Sequence, residues 1–499
     1  MRIPASLKSQ YQAIFAAVGQ ILVLGAALLL TPLLGLTAWA HEATYAPAFL
    51  LPAAALAIAG GAIWRLARSR ERVVLRVQEG GVIVLLSWVL ICLVSAVPFM
   101  ASMKLSFTQA IFESVSGWTT TGLSVVDVTK SPHIILLWRS IMQVAGGAGL
   151  AIIMLSAIAG PVGPGFSQAE GRTAQLAPHV RRSARLVLFM CTGYALVGTL
   201  AYWLAGMSFF DALNHSFTAV STGGFSTHPE SIGYWDSPAI EAVSLPLMVL
   251  GNLNFLTAYL LLHRRLRAVS RNGEVRVMAV LIPLSAVILF MFVSRSLFPA
   301  FGRGVRVAVF ESVTALTTTG FSTTTYVGWG SLGFLVVVVL TLIGGGTCST
   351  AGGIKQYRVY LLFKALAWEL RRPFLPRTAV TENYIWQGER KDYIQDARVR
   401  QVATFVFLYL VTYLLGVAVL AAHGFSLRDS LFEFASALGT VGLSIGLTSA
   451  DAPRLVLWTE TIGMFLGRLE FFVVFVAAAK LALDASNLCR GTKEHPTAS

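Results

Sequence analysis

The chain has 499 residues, of which 56% are hydrophobic and 12% charged, with a mean hydropathy of +0.70 and a formal net charge of +14. Too little polar surface remains to cover so apolar a core, which excludes a soluble globular protein. The basic excess reads as a topology signal, concentrated in alternate connections, ahead of a nucleic-acid footprint.

Taken in chain order, runs long enough to cross about 30 Å of hydrocarbon as helices occupy residues 9–40, 43–64, 81–103, 140–168, 186–210, 242–262, 277–294, 330–354 and 401–422. A tenth, 455–486, carries charges within it. The first run is too long for a signal-peptide core and is followed at once by another, so it reads as a retained helix. Segments 65–76, 170–185, 263–276 and 355–400 hold 24 Lys and Arg, whereas 104–139, 211–241, 295–330 and 423–454 hold 8. The first set is therefore cytoplasmic, and ten crossings with both termini inside satisfy the asymmetry. Cys92, Cys191, Cys348 and Cys489 lack metal-ligand spacing, which predicts neither a disulfide nor a metal site.

Between crossings, on the outer side by that count, four 19-residue blocks align without a gap: SFTQAIFESVSGWTTTGLS (106–124), SFFDALNHSFTAVSTGGFS (208–226), GVRVAVFESVTALTTTGFS (304–322) and SLRDSLFEFASALGTVGLS (426–444). The fifteenth column is Thr120, Thr222, Thr318 and Thr440; the seventeenth is Gly122, Gly224, Gly320 and Gly442; the nineteenth is Ser124, Ser226, Ser322 and Ser444. Each block opens with about a dozen half-apolar residues, too few to span, and reads as a re-entrant helix followed by a loop. Ser106, Ser208 and Ser426 suit the N-cap position. Non-helical backbone at membrane depth has to be buried in protein or line a water-filled path, and four such loops converging on one axis make a pore. Aiming consecutive carbonyls at one axis requires alternating handedness, which favours glycine where φ is positive. Oxygens so arranged replace the hydration shell of a monovalent cation. Close helix packing by small residues is the competing reading, but it needs neither the turn nor the outer placement.

The cores TTGLS (120–124), TGGFS (222–226), TTGFS (318–322) and TVGLS (440–444) resemble degenerate copies of the TVGYG filter of potassium channels, strung along one chain. That arrangement resembles the Trk/Ktr/HKT superfamily of cation transporters from about residue 79 onward, and two leading crossings resemble its bacterial TrkH branch. The resemblance implies an all-α polytopic membrane protein of ten transmembrane helices and four re-entrant pore helices with pseudo-fourfold symmetry. Two leading helices fall in 1–76, and pore repeats in 77–172, 173–272, 273–378 and 379–499. It implies a potassium filter built from Thr120, Thr121, Gly122, Thr222, Gly223, Gly224, Thr318, Thr319, Gly320, Thr440, Val441 and Gly442, with potassium held by backbone carbonyls as the substrate and no cofactor in this chain. Some sodium-conducting plant members carry Ser in the first filter, where this chain has Gly122. Departures from the channel pattern are Ser in place of the final glycine in all four blocks, and Gly223 and Gly439 beside two of the cores.

Downstream, IGGGTCSTAGGIK (343–355) interrupts a crossing with five glycines, each costing about 1 kcal/mol in a helix relative to Ala. An unwound segment is expected; a simple glycine kink at a helix interface is the competing reading. It is not a phosphate loop, since no Gly-Lys-Ser or Gly-Lys-Thr follows. It resembles the family's intramembrane gating loop, 344–353 here, with Gly344, Gly345, Gly346, Gly352 and Gly353. Arg468, near the middle of a spanning run, should face a wet cavity or a partner. The family has an Arg in its last pore-lining helix, which implies a cation barrier beneath the filter; an ion pair with Glu470 or Glu460 is the alternative. Glu113, Glu311 and Glu433 share one column with His215, and read as hydrogen-bond anchors behind the filter ahead of a source of negative potential at the mouth. Residues 382–400 form a solvated connector or a docking surface. The resemblance further implies a homodimer in membrane lipid, a cytosolic nucleotide-binding (NAD- or ATP-type) regulatory ring, no nucleic-acid partner, and the bacterial cytoplasmic (inner) membrane as location.

The expected activity is potassium uptake through a gated central pore, without catalysis. A sodium-permeable protein or a K+/Na+ or K+/H+ symporter of the same fold is the nearest alternative. A carrier for an organic solute would require inverted repeats, whereas these blocks share one orientation. A membrane enzyme lacks a candidate cluster of His, Asp or Glu.

Overall fold

The computed structural model describes residues 5–68, 75, 77–148, 180–376, 383–387 and 390–490. The far part of the run at 140–168, most of the basic segment 170–185, and Arg377 and Glu382 lie outside the described residues. The protein is mostly helical, and six described helices are long and apolar enough to cross a membrane: Leu7–Thr37, Ala40–Ala67, Gln78–Met103, Arg185–Leu204, Gly273–Leu297 and Asp396–Ala422. They present Phe189, Leu204, Phe292, Phe407 and Leu415 outward, an apolar exterior that suits lipid rather than water.

Contacts group the chain into two units. One contains the described residues up to Lys104, the stretch 180–186 and the helix Phe471–Arg490. Here Ala5–Leu30 packs along Ala46–Ala67 so closely that a Cβ on Gly19 would stand 2.6 Å from Gly60 O. Three charged groups in this helical unit form a cluster: Lys480 lies 3.4 Å from Glu79 and 3.1 Å from Asp484, which also accepts from Tyr11 at 2.8 Å.

The other unit holds Leu105 to Ala148 and Val187–Arg468. It contains four short helices, Phe107–Trp118, Phe209–Val220, Phe301–Leu316 and Leu427–Leu438, each running into one of the repeated loops. Ser106, Ser208 and Ser426 cap three of them, accepting from the backbone N–H three residues on at 3.4, 3.0 and 3.1 Å. The third helix departs from the block alignment. It starts at Phe301 rather than near Gly304 and has no side-chain cap; an added turn takes the place of the serine.

Three runs that read as single crossings are not continuous helices. Residues 242–262 break at Leu253 into Pro238–Asn252 and Phe255–Leu262, 330–354 stop at Ile343, and 455–486 break after Arg468, with Glu470 at φ 49°. At 1.5 Å per residue a 13- to 15-residue helix reaches only about 20–22 Å, short of the hydrocarbon thickness. The all-α expectation is corrected at Tyr384–Gln387 and Arg390–Tyr393, an antiparallel pair that sets Tyr384 opposite Tyr393. Its Ile385 is buried with Tyr357, Leu361 and Val402, and Arg271 stands 4.6 Å from the Trp386 ring centre.

Candidate functional site

Each short helix ends in the same way. The N–H of Thr120, Thr222, Thr318 and Thr440 donates to the carbonyl three residues back at 3.1, 3.1, 3.3 and 3.1 Å. The next N–H, of Thr121, Gly223, Thr319 and Val441, reaches five residues back at 2.9, 2.8, 3.0 and 2.9 Å. This is a Schellman ending, which places the fifteenth column in the left-handed region, usually a glycine position. Here it is threonine four times, at φ 56°, 51°, 53° and 51°. A β-branched residue held so costs about 1–3 kcal/mol and persists only where the surroundings enforce it. Sequence reasoning expected positive φ at the glycines alone; two columns per loop adopt it.

The seventeenth-column glycines follow at φ 96°, 72°, 83° and 92°. Positive φ is half of their necessity. A Cβ on Gly122 would collide with Gly223 O, on Gly224 with Thr319 O, on Gly320 with Val441 O, and on Gly442 with Thr121 O. The four loops thus form a closed circuit, each glycine seated against the next loop's sixteenth-column carbonyl and the last returning to the first. All twelve residues expected in the filter are in this circuit. Every threonine in it is fully buried, and among the described residues the Oγ1 atoms of Thr120 and Thr440 have no hydrogen-bond partner.

Behind the circuit, the eighth column ties each loop to its own helix. Glu113 accepts from Ser124 Oγ and Val125 N, Glu311 from Thr323 N and Tyr326 OH, and Glu433 from Ser444 Oγ, Ile445 N and Thr448 N. His215 Nε2 lies 2.9 Å from Ser226 Oγ. These side chains are anchors. Arg139, absent from the sequence-derived set, joins Glu113 at 2.7 Å, and Gln143, also absent, donates to Gly223 O at 2.6 Å. The signal for both was present: Arg139 and Gln143, four apart in a mostly apolar helix, His133–Gly147, share one face.

Residues 344–355 are unwound, and several of their polar groups are satisfied from outside. Gly346 N donates to Asn252, and Thr347 N and Oγ1 donate to Glu274 at 2.7 and 2.6 Å. The segment reaches the threonines of the circuit: Gly352 N donates to Thr318 Oγ1 at 2.8 Å, and Thr222 Oγ1 to Thr350 Oγ1 at 3.1 Å. A Cβ on Gly352 would strike Thr440 Oγ1. Gly344 and Gly353, at φ 67° and 77°, pack against each other where the segment leaves and rejoins helix, and Gly345 N donates to Gly352 O. Arg468 donates to Thr350 O at 2.6 Å and to Gly146 O at 2.7 Å, joining the unwound segment to two surrounding helices. Glu460 is not its partner, and instead stands on Thr448.

The TrkH family model, described as a cation transport protein, matches residues 47–488. The chain belongs to the TrkH family. This TrkH-family chain is 32% identical to the Trk system potassium uptake protein TrkH of Halomonas elongata, over 84% of this chain and 89% of that one. It is 30% identical to the protein of the same name from Escherichia coli K12, over 93% and 98%. The crystal structure of the potassium transporter TrkH from Vibrio parahaemolyticus superposes with a TM-score of 0.81 at 27% identity, covering 95% of this chain and 98% of that one.

Proposed function

We propose that this TrkH-family chain takes up potassium through a path on the axis of the four loops. The observation that carries the reading is the closed circuit of four left-handed Thr and Gly turns, with buried oxygens and, among the described residues, two unpartnered threonine hydroxyls. Carbonyl and hydroxyl oxygens of residues 120–122, 222–224, 318–320 and 440–442 take the place of water around the dehydrated ion. Four helix C-termini end at the ring and add their partial negative charge. In this reading the chain has ten crossings and four re-entrant pore helices in pseudo-fourfold array, divided at about 76, 172, 272 and 378. Both termini face the cytoplasm, and the protein resides in the bacterial inner membrane.

Residues 344–353 form the gate. They lie on Thr318, Thr222 and Thr440, so the segment must leave those hydroxyls before an ion passes, and Arg468 adds a positive charge at the same point. The gate leads directly into Gln356–Arg371 and the 384–393 hairpin packed on it, a lever for a cytosolic nucleotide-binding ring. Dimerisation follows the family. An inside-negative potential supplies about 2.3 kcal/mol per charge for each 100 mV, enough for accumulation without ATP hydrolysis by this chain.

The test is rubidium uptake by the purified protein in liposomes, with an inside-negative potential, competing potassium or sodium, and an optional proton gradient. Uptake should follow the potential, yield to potassium far more than to sodium, and ignore the proton gradient. Equal competition by sodium, or uptake that follows the proton gradient, contradicts the reading.

A further inference from the structure

The four loops differ at the sixteenth column. In the first and third, the hydroxyls of Thr121 and Thr319 lie 2.7 and 2.8 Å from those of Thr119 and Thr317, two residues earlier in the same loop. In the fourth, Val441 is buried in an apolar cluster with Phe432, Leu316 and Leu340. Each of these loops is therefore held by its own side chain at that column. The second loop has Gly223 there, and no side chain to hold it.

That space is filled from another part of the chain. Where a Cβ of Gly223 would stand, the nearest atoms are the carboxamide Cδ, Oε1 and Nε2 of Gln143, which comes from the helix His133–Gly147. Gln143 is fully buried. Its Nε2 donates to Gly223 O at 2.6 Å, and its Oε1 accepts from Phe225 N at 3.3 Å. The two bonds bracket Gly224, the left-handed residue whose neighbour in the circuit is Thr319 O. With residues 223 and 225 both tethered, the peptide planes on either side of Gly224 are fixed as well. A planar amide carrying donor and acceptor on one carbon suits this bracket, and a carboxylate or an alkyl group does not.

We propose that Gln143 is a selectivity-determining positioning residue, standing in for the side chain that the second loop lacks and holding Gly223 and Gly224 in register with the other three loops. The inference rests on the reading of the four loops as the potassium filter. Discrimination between potassium and sodium depends on how far the oxygens can close around the smaller ion, or on their number and field strength. Releasing one loop of four changes both quantities.

The experiment is rubidium uptake against competing sodium in liposomes, comparing wild type, Gln143→Leu, the double variant Gln143→Ala/Gly223→Thr, and Gly320→Ala. Gln143→Leu keeps the volume and loses both bonds, so the preference for rubidium over sodium should fall on the order of tenfold, the scale of one or two buried hydrogen bonds. In the double variant the new threonine fills the vacated space beside Ser221, as Thr121 stands beside Thr119, and the preference should return. Selectivity unchanged in Gln143→Leu but lost in Gly320→Ala overturns the role of Gln143 and leaves the filter reading intact. Selectivity unchanged in both overturns the filter reading itself. If Gln143→Leu does not fold, Gln143→Met, unbranched like glutamine and also without the two bonds, decides: a fallen preference in the folded protein supports the inference, and wild-type preference refutes it.

Discussion

The first and fourth loops have the same shape and are supported by opposite chemistry. Glu113 and Glu433 occupy the same column, both fully buried, and both accept from the loop that follows them. Across from each, the seventh residue of the next helix reaches in: Arg139 in His133–Gly147 and Glu460 in Arg454–Arg468. In the first loop this makes a buried ion pair of 2.7 Å, with the guanidinium also donating to Ser124 Oγ and Ser226 O and stacked 3.9 Å from the Phe225 ring centre. In the fourth loop, Thr448 Oγ1 stands 2.6 Å from Glu433 Oε1 and 3.1 Å from Glu460 Oε2. One hydroxyl proton cannot serve two carboxylates; Glu433 already accepts from Ser444 Oγ, Ile445 N and Thr448 N, so Glu460 is the group that completes the bridge by carrying a proton and donating. The loop needs donors at fixed points behind it, and either an ion pair or a neutral hydrogen-bonded bridge supplies them.

The difference predicts unequal consequences. Arg139→Leu leaves Glu113 buried and uncompensated, which should lower stability by about 3–5 kcal/mol in thermal unfolding of the detergent-solubilised protein. Adding Glu113→Gln should recover most of that loss. A single variant as stable as wild type would remove the ion pair from the account. Next in size, Ser106→Ala and Ser426→Ala each remove an N-cap, and by the same assay should cost about 1 kcal/mol apiece. Unequal losses would show that the two short helices are not held alike. Smallest is Glu460→Gln, where the amide still donates to Thr448, so less than about 1 kcal/mol should be lost. A loss as large as that of Arg139→Leu would mean that Glu460 is ionised and the contrast with the first loop is false.

Much of this was legible in the sequence, because the repeat supplies its own alignment. The Thr and Gly columns, the acidic column behind them, the three serine caps and the unwound stretch after Ile343 all follow from residue type and spacing. What escaped depends on tertiary apposition. The break at Leu253 lies in apolar text that reads as one crossing; the unwound segment supplies its replacement hydrogen bonds, with Phe255 N donating to Cys348 O from ninety-odd residues away. Threonine at left-handed φ contradicts local preference, and it is stabilised by a Schellman ending and by packing against the neighbouring loops. Gln143 and Arg139 were visible as polar residues in a mostly apolar helix, but their partners, Gly223 and Glu113, belong to two different repeats, and no spacing rule names them.

The central claim is that the four turns surround the ion. Crystals grown with thallium(I) in place of potassium test it by anomalous difference density. The account predicts density on the axis of the loops, within coordination distance of oxygens from residues 120–122, 222–224, 318–320 and 440–442. Density elsewhere, or an empty axis in crystals of protein that transports thallium in liposomes, would contradict it.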